Sequence, residues 1–551
     1  VLEGGARHDP SVPAAATGAG RIPCYDPGSM QLLGFTKVME PEEVRERVRR
    51  ARGAQRQWAA SSFGQRRLLL RTLLRFTLEH AEDICRVSAR DSGKAMLDAG
   101  FGELVTTCEK IRWLLAEGEQ HLRPERRSVG GMMFYKRAYV EYHPVGVVAA
   151  IVPWNYPFHN VMGPLTAAVM AGCALVVKVS EHASWSARYY ERAIKAALRA
   201  AGAPEDLVQI IHGYGEAGNA LVTAEVDKVV FVGSVPVGKR VMAAAAERLT
   251  PVVMELGGKD GFVVCRGADL DQATSIAMRA AFQSCGQNCT GGERFFIEDG
   301  ATYDAFVAKV TALAGGLKFG HAVGRPGGLG VDCGACVMSD HPRKMQALVD
   351  DAVAKGARVL CGGQLPEGVQ GQFYPPTVLE GIDRTMRIWR EEVFGPIMSV
   401  VRWSTEDEVV GLVNDCPFGL GSAVFGPYRR AKRIGDRLHV GMVAINDFAT
   451  FYMCQSLPFG GVKESGFDRF AGVEGLRGMC YPKSICEDAL PFIKTTVPPP
   501  LQYPVQDNAF PILKNIAWLF FSQSPLGRLA GLVKLAQCFL LPASVVPKKR
   551  D

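Results

Sequence analysis

The chain has 551 residues, 48% of them hydrophobic and 22% charged, which is enough for two or three domains with a substantial core. Its net charge of +7 comes from basic residues dispersed among acids, a pattern that argues against nucleic-acid binding. The fifteen cysteines are an odd number with scattered spacing, which is typical of a reducing compartment. Cys333 and Cys336 form a C-x-x-C, but no second ligand pair follows it, so we expect no metal site.

The first part of the chain predicts a flexible arm followed by helices and a hairpin. Residues 1–20 are rich in glycine, alanine and proline. A chain that begins with Val1 is consistent with a fragment or a processed form, and an upstream targeting segment stays open. Apolar periodicity predicts helices over 41–60, 63–90 and about 101–118. Alternation in the segment from Arg123 to Tyr142 predicts a protruding hairpin.

From Val145 onward, strand and helix patterns alternate, which predicts a mostly parallel sheet that binds a nucleotide at its strand ends. The predicted strands are 145–152, 175–180, 208–212, 227–232 and 251–256, and the predicted helices are 160–172, 185–201 and 237–249. A second α/β region is predicted over about 257–460, and extended structure over 470–490. The apolar runs of this region are too short to span a bilayer.

The composition shifts after Pro498-Pro499-Pro500. Apolar residues recur there at helical spacing among lysines and arginines, and the uncharged stretches are shorter than a spanning helix needs. One interpretation is an extension that packs on a partner subunit or covers a substrate mouth. We favour a pair of interfacial helices that contact a membrane surface through 510–550.

Two glycine-rich turns are candidates for phosphate binding. Gly213 to Gly218 matches G-x-G-x-x-G and places Gly215 at a helix start, but a lone match is weak and no acidic residue ends the next strand. Gly233-Ser234 also precedes a predicted helix. We favour this second turn, because free N–H groups at a helix start attract anions.

Polar groups follow several predicted strands. Asn155 belongs either to a rigid turn or to an oxyanion site, where its amide would be a donor. Lys178 and Glu181 predict a solvated ion pair or contacts to ribose hydroxyls. Glu255 predicts a surface residue or a general base. Cys289 lies in a glycine-rich stretch where an accessible thiol could act as a nucleophile.

Seven motifs in one order carry a family resemblance: WNYP, KVSE, FVGS, ELGGK, GQNCTGGER, EEVFGP and PFGGVKESG. Their set and order resemble the NAD(P)-dependent aldehyde dehydrogenase superfamily over about residues 25–490. INDFAT at 445–450 and SGFDRFAG at 465–472 resemble its plant and algal branch, family 22. The resemblance implies an α/β fold with a Rossmann-type nucleotide-binding domain, an α/β catalytic domain and a small oligomerisation β-sheet.

The implied domains follow the chain. Those domains are a flexible arm at 1–20, an NAD-binding domain at 21–127 and 146–256, a catalytic domain at 257–469, an oligomerisation sheet at 128–145 and 470–495, and an apolar, basic tail at 496–551. The resemblance also implies a homodimer or a homotetramer. With the tail, it suggests attachment to an endomembrane, the alternative being a cytoplasmic enzyme.

The resemblance implies a covalent mechanism. Cys289 would attack an aldehyde to give a thiohemiacetal and then a thioester, and Glu255 would activate the water that hydrolyses it. Asn155 and the Cys289 N–H would hold the oxyanion. Cys285 is a rival nucleophile, but Cys289 is the cysteine that follows Gly-Gln-Asn. Glu255 argues against a coenzyme-A-acylating member.

The implied ligand contacts complete the hypothesis. The cofactor-binding residues would be Trp154, Lys178, Glu181, Gly215, Gly233, Ser234, Leu256, Glu392 and Phe394. Tyr156 and Phe459 would contact the aldehyde, for which a medium or long aliphatic chain is the expectation. A carboxylate at Glu181 would repel a 2′-phosphate and favours NAD. Val179, Asp468 and Phe470 depart from the family pattern. The altered 468–470 region and the tail make a weakly active, membrane-attached scaffold the alternative.

Overall fold

A computed structural model describes residues 20–323, 330–492 and 494–540 of the chain. The chain divides into two units, one formed by residues up to 122 together with 144–481, and one formed by 123–143 together with the residues from 482 onward. The arm predicted at 1–20 lies outside the described residues except for Gly20, as do the last basic residues of the tail.

The strands and helices of the described residues follow in chain order. The strands are β1 Arg21–Asp26, β2 Gln31–Lys37, β3 Glu125–Arg127, β4 Lys136–Pro144, β5 Val147–Val152, β6 Ala174–Val179, β7 Val208–Ile211, β8 Lys228–Val232, β9 Val252–Glu255, β10 Asp260–Val264, β11 Gly292–Glu298, β12 Arg358–Cys361, β13 Thr377–Glu380, β14 Ile397–Trp403, β15 Gly421–Phe425, β16 Met442–Ile445, β17 Gly466–Phe467 and β18 Cys480–Asp488. The helices are α1 Pro41–Ala59, α2 Phe63–Glu79, α3 Ala81–Ser92, α4 Met96–Ala99, α5 Thr106–Trp113, α6 Glu119–Leu122, α7 His159–Ala171, α8 Ser184–Ala200, α9 Gly215–Val222, α10 Val235–Ala246, α11 Leu270–Phe282, α12 Ala301–Gly315, α13 His341–Ala354, α14 Glu406–Asn414, α15 Tyr428–Gly435, α16 Thr450–Met453, α17 Gly472–Arg477, α18 Ala509–Phe521 and α19 Pro525–Leu540.

A six-stranded sheet in the first unit has the order β17-β9-β8-β5-β6-β7. Strands β5 to β9 are parallel, and only the short β17 pairs antiparallel, with β9. The chain proceeds from β5 through β6 to β7 on one side and then returns to β8 and β9 on the other. The ends of β5 and β8 therefore flank a topological switch point, where open α/β sheets bind nucleotides.

A second sheet of the same unit has the order β12-β13-β14-β11-β10-β15-β16. Its pairs are parallel except for β12 with β13. Buried aromatic residues of β10, β11 and β15 pack together, with the Phe262 and Phe425 rings 4.6 Å apart. The second unit contains a three-stranded sheet with the order β18-β4-β3 and the helices α18 and α19. The predicted fold class is confirmed.

From Val145 to the end of β9, the predicted strands and helices agree with the structure to within a few residues, whereas the single helix predicted over 63–90 is two helices, α2 and α3, that meet at His80. Strand β6 is buried along its whole length, as is usual for a parallel strand covered by helices on both faces. The helix predicted over about 101–118 is longer and contains two π segments, Gly100–Val105 and Leu114–Gly118. Such i→i+5 segments depend on tertiary contacts and leave no periodic signal in the sequence.

The tail forms two helices, as its apolar periodicity predicts. Helix α18 has 13 residues and helix α19 has 16. Among the described residues, no helix has both the length and the apolar character needed to cross a bilayer.

Candidate active site

A cavity of about 240 Å³ lies in the first unit near the carboxyl ends of β5 and β9. Its wall brings together the three predicted catalytic residues, Cys289, Glu255 and Asn155. The two predicted substrate contacts, Tyr156 and Phe459, line the same cavity. Groups from both α/β sheets therefore meet around one space that an aldehyde could enter.

The turn before Cys289 has an unusual backbone. Ser284 and Cys285 adopt positive φ angles of 54° and 57°, which cost energy for residues with side chains. Gly286 has φ +67°, and a Cβ atom there would lie 2.1 Å from the carbonyl oxygen of Gly395. Only glycine fits so close an approach. The surrounding structure thus fixes the path of the chain into Cys289.

The amide side chain of Gln287 anchors this turn further. Its Nε2 donates to the carbonyls of Ser284 and Ala335, each at 3.2 Å, and its Oε1 accepts from the N–H of Val337 at 3.0 Å. Gln287 is buried, so these bonds satisfy its polar atoms. The cavity-lining thiol of Cys289 consequently projects from a rigid loop.

The two cysteines of this loop have different surroundings. Cys285 is fully buried, and a hydrogen bond with Cys336 together with burial raises its pKa well above the usual range. Cys289 is half-buried and lines the cavity. Burial and the carboxylates of Glu255, Asp260 and Glu392 also raise the pKa of Cys289. The accessible cysteine therefore rests as a thiol and needs a base.

Glu255 is placed to act as that base. It ends β9 and is 1% exposed, and its Oε1 has no hydrogen-bond partner among the described residues. Burial raises the pKa of Glu255 to about 7, although hydrogen bonds from the Gly257 backbone and the Cys289 thiol oppose the shift. A carboxylate with a pKa near neutrality can accept a proton and release it again at physiological pH.

Asn155 has its side-chain amide oriented by two neighbours. Its Nδ2 donates to the carbonyl of Gln287 at 3.2 Å, and its Oδ1 accepts from Nδ2 of Asn160 at 3.1 Å. The amide nitrogen thus points toward the loop that carries Cys289. Asn160 also lines the cavity, and the sequence analysis did not single it out. Its polar character at the start of an apolar helix was the available signal.

A buried ion pair holds the backbone from Asn155 to His159. Lys94 and Glu103 are both fully buried, and their Nζ and Oε1 atoms are 2.6 Å apart. Lys94 also donates to the carbonyl of Asn155. The other carboxylate oxygen of Glu103 accepts from the N–H groups of Phe158 and His159, at 3.1 and 2.9 Å. This pair could not be predicted from the sequence, because lysine and glutamate are seldom fully buried.

A second polar group of the cavity wall is uncharged. His159 shares a hydrogen bond of 2.9 Å with Thr107 through Nδ1 and a short one with the Tyr452 hydroxyl through Nε2. Burial, with Lys110 and Lys94 nearby, lowers the pKa of His159 to about 3. Burial raises the pKa of Tyr452 well above its usual range. Both groups are neutral at physiological pH. Among the described residues of the wall, Glu255 is the only aspartate, glutamate, lysine or arginine.

The positions that depart from the family pattern also have defined contacts. Phe470 lines the cavity, and its ring lies 4.8 Å from that of Phe459. Asp468 has φ +63° and pairs with Lys228 at 3.2 Å. Phe470 therefore adds an apolar surface to the wall, and Asp468 has a structural contact outside it.

The predicted phosphate turn has an open helix end. Ser234 is the N-cap of α10, but its side chain makes no capping hydrogen bond. The first N–H groups of α10 are therefore without a side-chain cap, as an anion-binding helix start requires. Gly238 lets Leu256 pack beneath this turn, since a Cβ atom there would lie 2.4 Å from Leu256 Cδ2. Gly233 precedes the cap, and a bulkier residue there would require the Phe231 ring to move, because a Cβ would lie 2.7 Å from it.

Lys178 lies near the end of β6, beside β5, and Glu181 follows the strand. Their Nζ and Oε2 atoms are 3.3 Å apart. Burial would raise the pKa of Glu181, but Lys178 and His182 hold it below its usual value, so the carboxyl is ionised at neutral pH. Gly215 begins α9, which follows the edge strand β7. Burial and the charge of Glu181 raise the pKa of Tyr214, the residue before Gly215.

Glu392 and Phe394 approach from the second sheet. Glu392 Oε1 accepts from the N–H of Gly258 at 2.8 Å. Gly257 has φ +82°, and a Cβ atom there would lie 2.3 Å from the same oxygen. The rings of Phe394 and Trp154 meet edge to face at 5.6 Å. Six of the nine predicted cofactor residues therefore lie at the ends of β5, β6, β8 and β9, Gly215 follows β7, and Glu392 and Phe394 approach Gly258 and Trp154 from the second sheet.

Comparison with known proteins agrees with this geometry. The model of the aldehyde dehydrogenase family matches residues 14–485. An aldehyde dehydrogenase-like protein of Saccharomyces cerevisiae is 41% identical over 538 residues, covering 94% of this chain and 82% of the relative. The NADP-linked succinate-semialdehyde dehydrogenase GabD of Escherichia coli is 31% identical, with 84% and 94% covered.

A solved structure shows the same fold. The aldehyde dehydrogenase of Mycobacterium tuberculosis, determined in complex with NAD⁺, superposes with a TM-score of 0.79 at 26% identity. The match covers 87% of this chain and 96% of that one. With its thiol, its buried carboxylate and its amide donor on one cavity wall, this chain belongs to the aldehyde dehydrogenase family.

Proposed function

We propose that this chain uses NAD to oxidise an uncharged, apolar aldehyde to its carboxylate, with Cys289 as the nucleophile. The observation that carries the proposal is the meeting of Cys289, Glu255 and Asn155 on one cavity wall. A nucleophile, a base with a pKa near neutrality and an oriented donor are the groups that acyl chemistry requires.

The first steps follow from the protonation states. Because Cys289 rests as a thiol, its proton passes to Glu255 as the sulfur bonds to the carbonyl carbon. The oxygen of the resulting thiohemiacetal receives hydrogen bonds from Asn155 Nδ2 and the Cys289 N–H. NAD, when bound, supplies the hydride acceptor that converts this adduct into a thioester.

Glu255 acts a second time in hydrolysis. After losing the first proton, it takes one from a water molecule whose oxygen attacks the thioester carbon. The carbon–sulfur bond then breaks, Cys289 leaves as a thiolate and the carboxylic acid is released. The proton that Glu255 holds restores the thiol.

The residues at the proposed nucleotide site suit the chemical groups of NAD. The uncapped start of α10 at Ser234 suits a phosphate, and Glu392 with the Trp154 and Phe394 rings suits the other end of a dinucleotide. Leu256 and Gly233 shape the same surface. Glu181 is ionised and would meet a ribose 2′-phosphate with like charge.

Changing Glu181 tests this cofactor choice. We expect Glu181→Gln to lower the ratio of kcat/KM for NAD to that for NADP by about tenfold, which corresponds to ~1.4 kcal/mol. Glu205→Gln is the matched control, because Glu205 pairs with Arg199 on the surface. Steady-state rates with both cofactors measure the ratio, and equal ratios in both variants would remove Glu181 from the proposal.

The cavity wall supports an apolar substrate. GabD is named for succinate semialdehyde, whose far end is a carboxylate. Among the described residues, the wall here holds no lysine or arginine, and an unpaired charge buried beside Glu255 would be costly. Phe101, Phe459, Phe470 and Met453 instead offer apolar surface to an aliphatic or aromatic chain.

A series of aldehydes tests the substrate class. We expect kcat/KM to rise by up to about fourfold per CH₂ from acetaldehyde until the cavity is filled, because each buried CH₂ contributes ~0.8 kcal/mol. Succinate semialdehyde should be at least about 100-fold poorer than pentanal. A preference for the semialdehyde would contradict the apolar assignment. If none of the aldehydes gave NADH, the weakly active scaffold would be favoured instead.

Within the family we propose the family 22 branch, supported by the segments at 445–450 and 465–472. We further propose a homodimer or homotetramer that associates through the three-stranded sheet. In that sheet β3 and β4 pair antiparallel, and Lys136 pairs with Asp488 at 2.6 Å.

A further inference from the structure

The tail helices α18 and α19 pack against each other along a closed seam. Asn508 and Asn515 of the first helix region donate to the carbonyl and the sulfur of Cys538, at 3.3 and 3.4 Å. A Cβ atom at Gly531 would lie 2.7 Å from the N–H nitrogen of Leu519, so glycine permits the close crossing. The two helices therefore form a defined pair whose facing residues contact each other.

The faces outside this seam are apolar and exposed. Phe510, Trp518 and Phe521 of α18 are 75%, 52% and 69% exposed. Leu526, Leu529 and Leu540 of α19 are 77%, 57% and 81% exposed. Exposed apolar side chains concentrated on two neighbouring helices mark an interaction site.

The charges on this pair are of one sign. The charged residues between 508 and 550 are all basic: Lys514, Arg528, Lys534, Lys548, Lys549 and Arg550. Lys514 and Lys534 form no ion pair with any described residue. A helix pair that carries exposed leucine, phenylalanine and tryptophan together with lysine and arginine complements the acyl and headgroup zones of an anionic bilayer.

The two helices are too short to cross a bilayer, so they would lie in the plane of its surface. A helix of 13 or 16 residues is about 20 to 24 Å long, shorter than the ~30 Å hydrocarbon core. Lysine and arginine stems can lie along the apolar face while their charged ends reach lipid phosphates.

We propose that α18 and α19 dock this chain on the surface of an anionic lipid bilayer. A second copy of the chain fits the same face less well. A symmetric contact would set Lys514, Arg528 and Lys534 of one copy against those of the other, with no acidic residue of the helix pair to pair with them.

Vesicle binding tests the proposal on the full chain and does not depend on its enzymatic activity. The probes are vesicles of pure phosphatidylcholine and vesicles that also contain phosphatidylserine. We expect co-sedimentation with the mixed vesicles that weakens as salt is added. The triple variant Lys514→Gln, Arg528→Gln, Lys534→Gln should lower affinity by about 100-fold, at roughly fivefold per charge.

Two further variants separate charge from apolar contact. Lys309→Gln, Lys344→Gln, Lys432→Gln removes the same charge from side chains that are 44%, 62% and 50% exposed in the first unit, and should leave binding unchanged. Phe521→Ser, Leu526→Ser should weaken binding to mixed vesicles by at least about tenfold. Thermal melting checks that each variant is folded.

Three outcomes would overturn the proposal. The first is a full chain that does not sediment with mixed vesicles, and the second is equal binding by the two triple variants. The third is that the serine variant changes the oligomeric state by light scattering while vesicle binding is absent. That result would assign the face to a second copy of the chain.

Discussion

Replacing Cys289 with alanine is expected to reduce NADH production from every aldehyde by roughly 10⁴-fold or more, because no covalent adduct can form. Cys289 is the cysteine of the loop that lines the cavity beside Glu255 and Asn155. Steady-state NADH formation measures the loss. Mass spectrometry of the intact chain, taken during turnover, should show an acyl adduct on the unmodified protein and none on Cys289→Ala.

Cys285→Ala is the control for this experiment. Cys285 is fully buried and hydrogen-bonded to Cys336, so its removal should affect stability more than chemistry. We expect kcat within about threefold of the unmodified chain once the folded fraction is matched. Persistent turnover in Cys289→Ala that is abolished by adding Cys285→Ala would make Cys285 the nucleophile.

Glu255→Gln is expected to lower kcat by about 10² to 10⁴-fold, since the thioester on Cys289 loses the base that activates water. Acyl enzyme should form more slowly, because Cys289 also loses the base that takes its proton, and the acyl enzyme that does form should be released faster by an added thiol or hydroxylamine than by water. Mass spectrometry and steady-state rates measure both effects. Glu391→Gln serves as the control, because Glu391 pairs with Arg387 on the surface.

The dependence of kcat on pH tests the assignment of Glu255 as the base. Glu255 must be ionised to accept a proton, and burial raises its pKa to about 7. In the unmodified chain, kcat should therefore rise with pH up to about 7 and fall about tenfold for each pH unit below it. Glu255→Gln has no such group, so its residual rate should lack this step. An unchanged step in the variant would place the titrating base elsewhere.

The sequence predicted the strands of the nucleotide-binding sheet well because parallel strands are buried on both faces. Strands such as β6 read as continuous apolar runs, and their ends are marked by glycine and polar residues. The groups at those ends, Asn155, Lys178, Glu181 and Glu255, could be named for the same reason. Their meeting with Cys289 could not be derived from periodicity and was implied by the family resemblance.

The support beneath these groups could not be predicted. Lys94 and Glu103 are nine positions apart, and the second lies in a π segment whose turn depends on its neighbours. The orienting contact from Asn160 and the positive φ angles of Ser284 and Cys285 likewise depend on tertiary packing. Such long-range contacts leave no local pattern in a single sequence.

The uncharged wall of the cavity has a consequence for the end of the cycle. The proposed product is an anion, whereas the substrate is neutral, and the described wall holds no lysine or arginine to pair with a carboxylate. Once the acid ionises, it lies among phenylalanines and a neutral His159–Tyr452 pair, close to Glu255. Its burial then becomes unfavourable. The change in charge that accompanies oxidation thus favours product departure, and it opposes re-entry of the acid from solution.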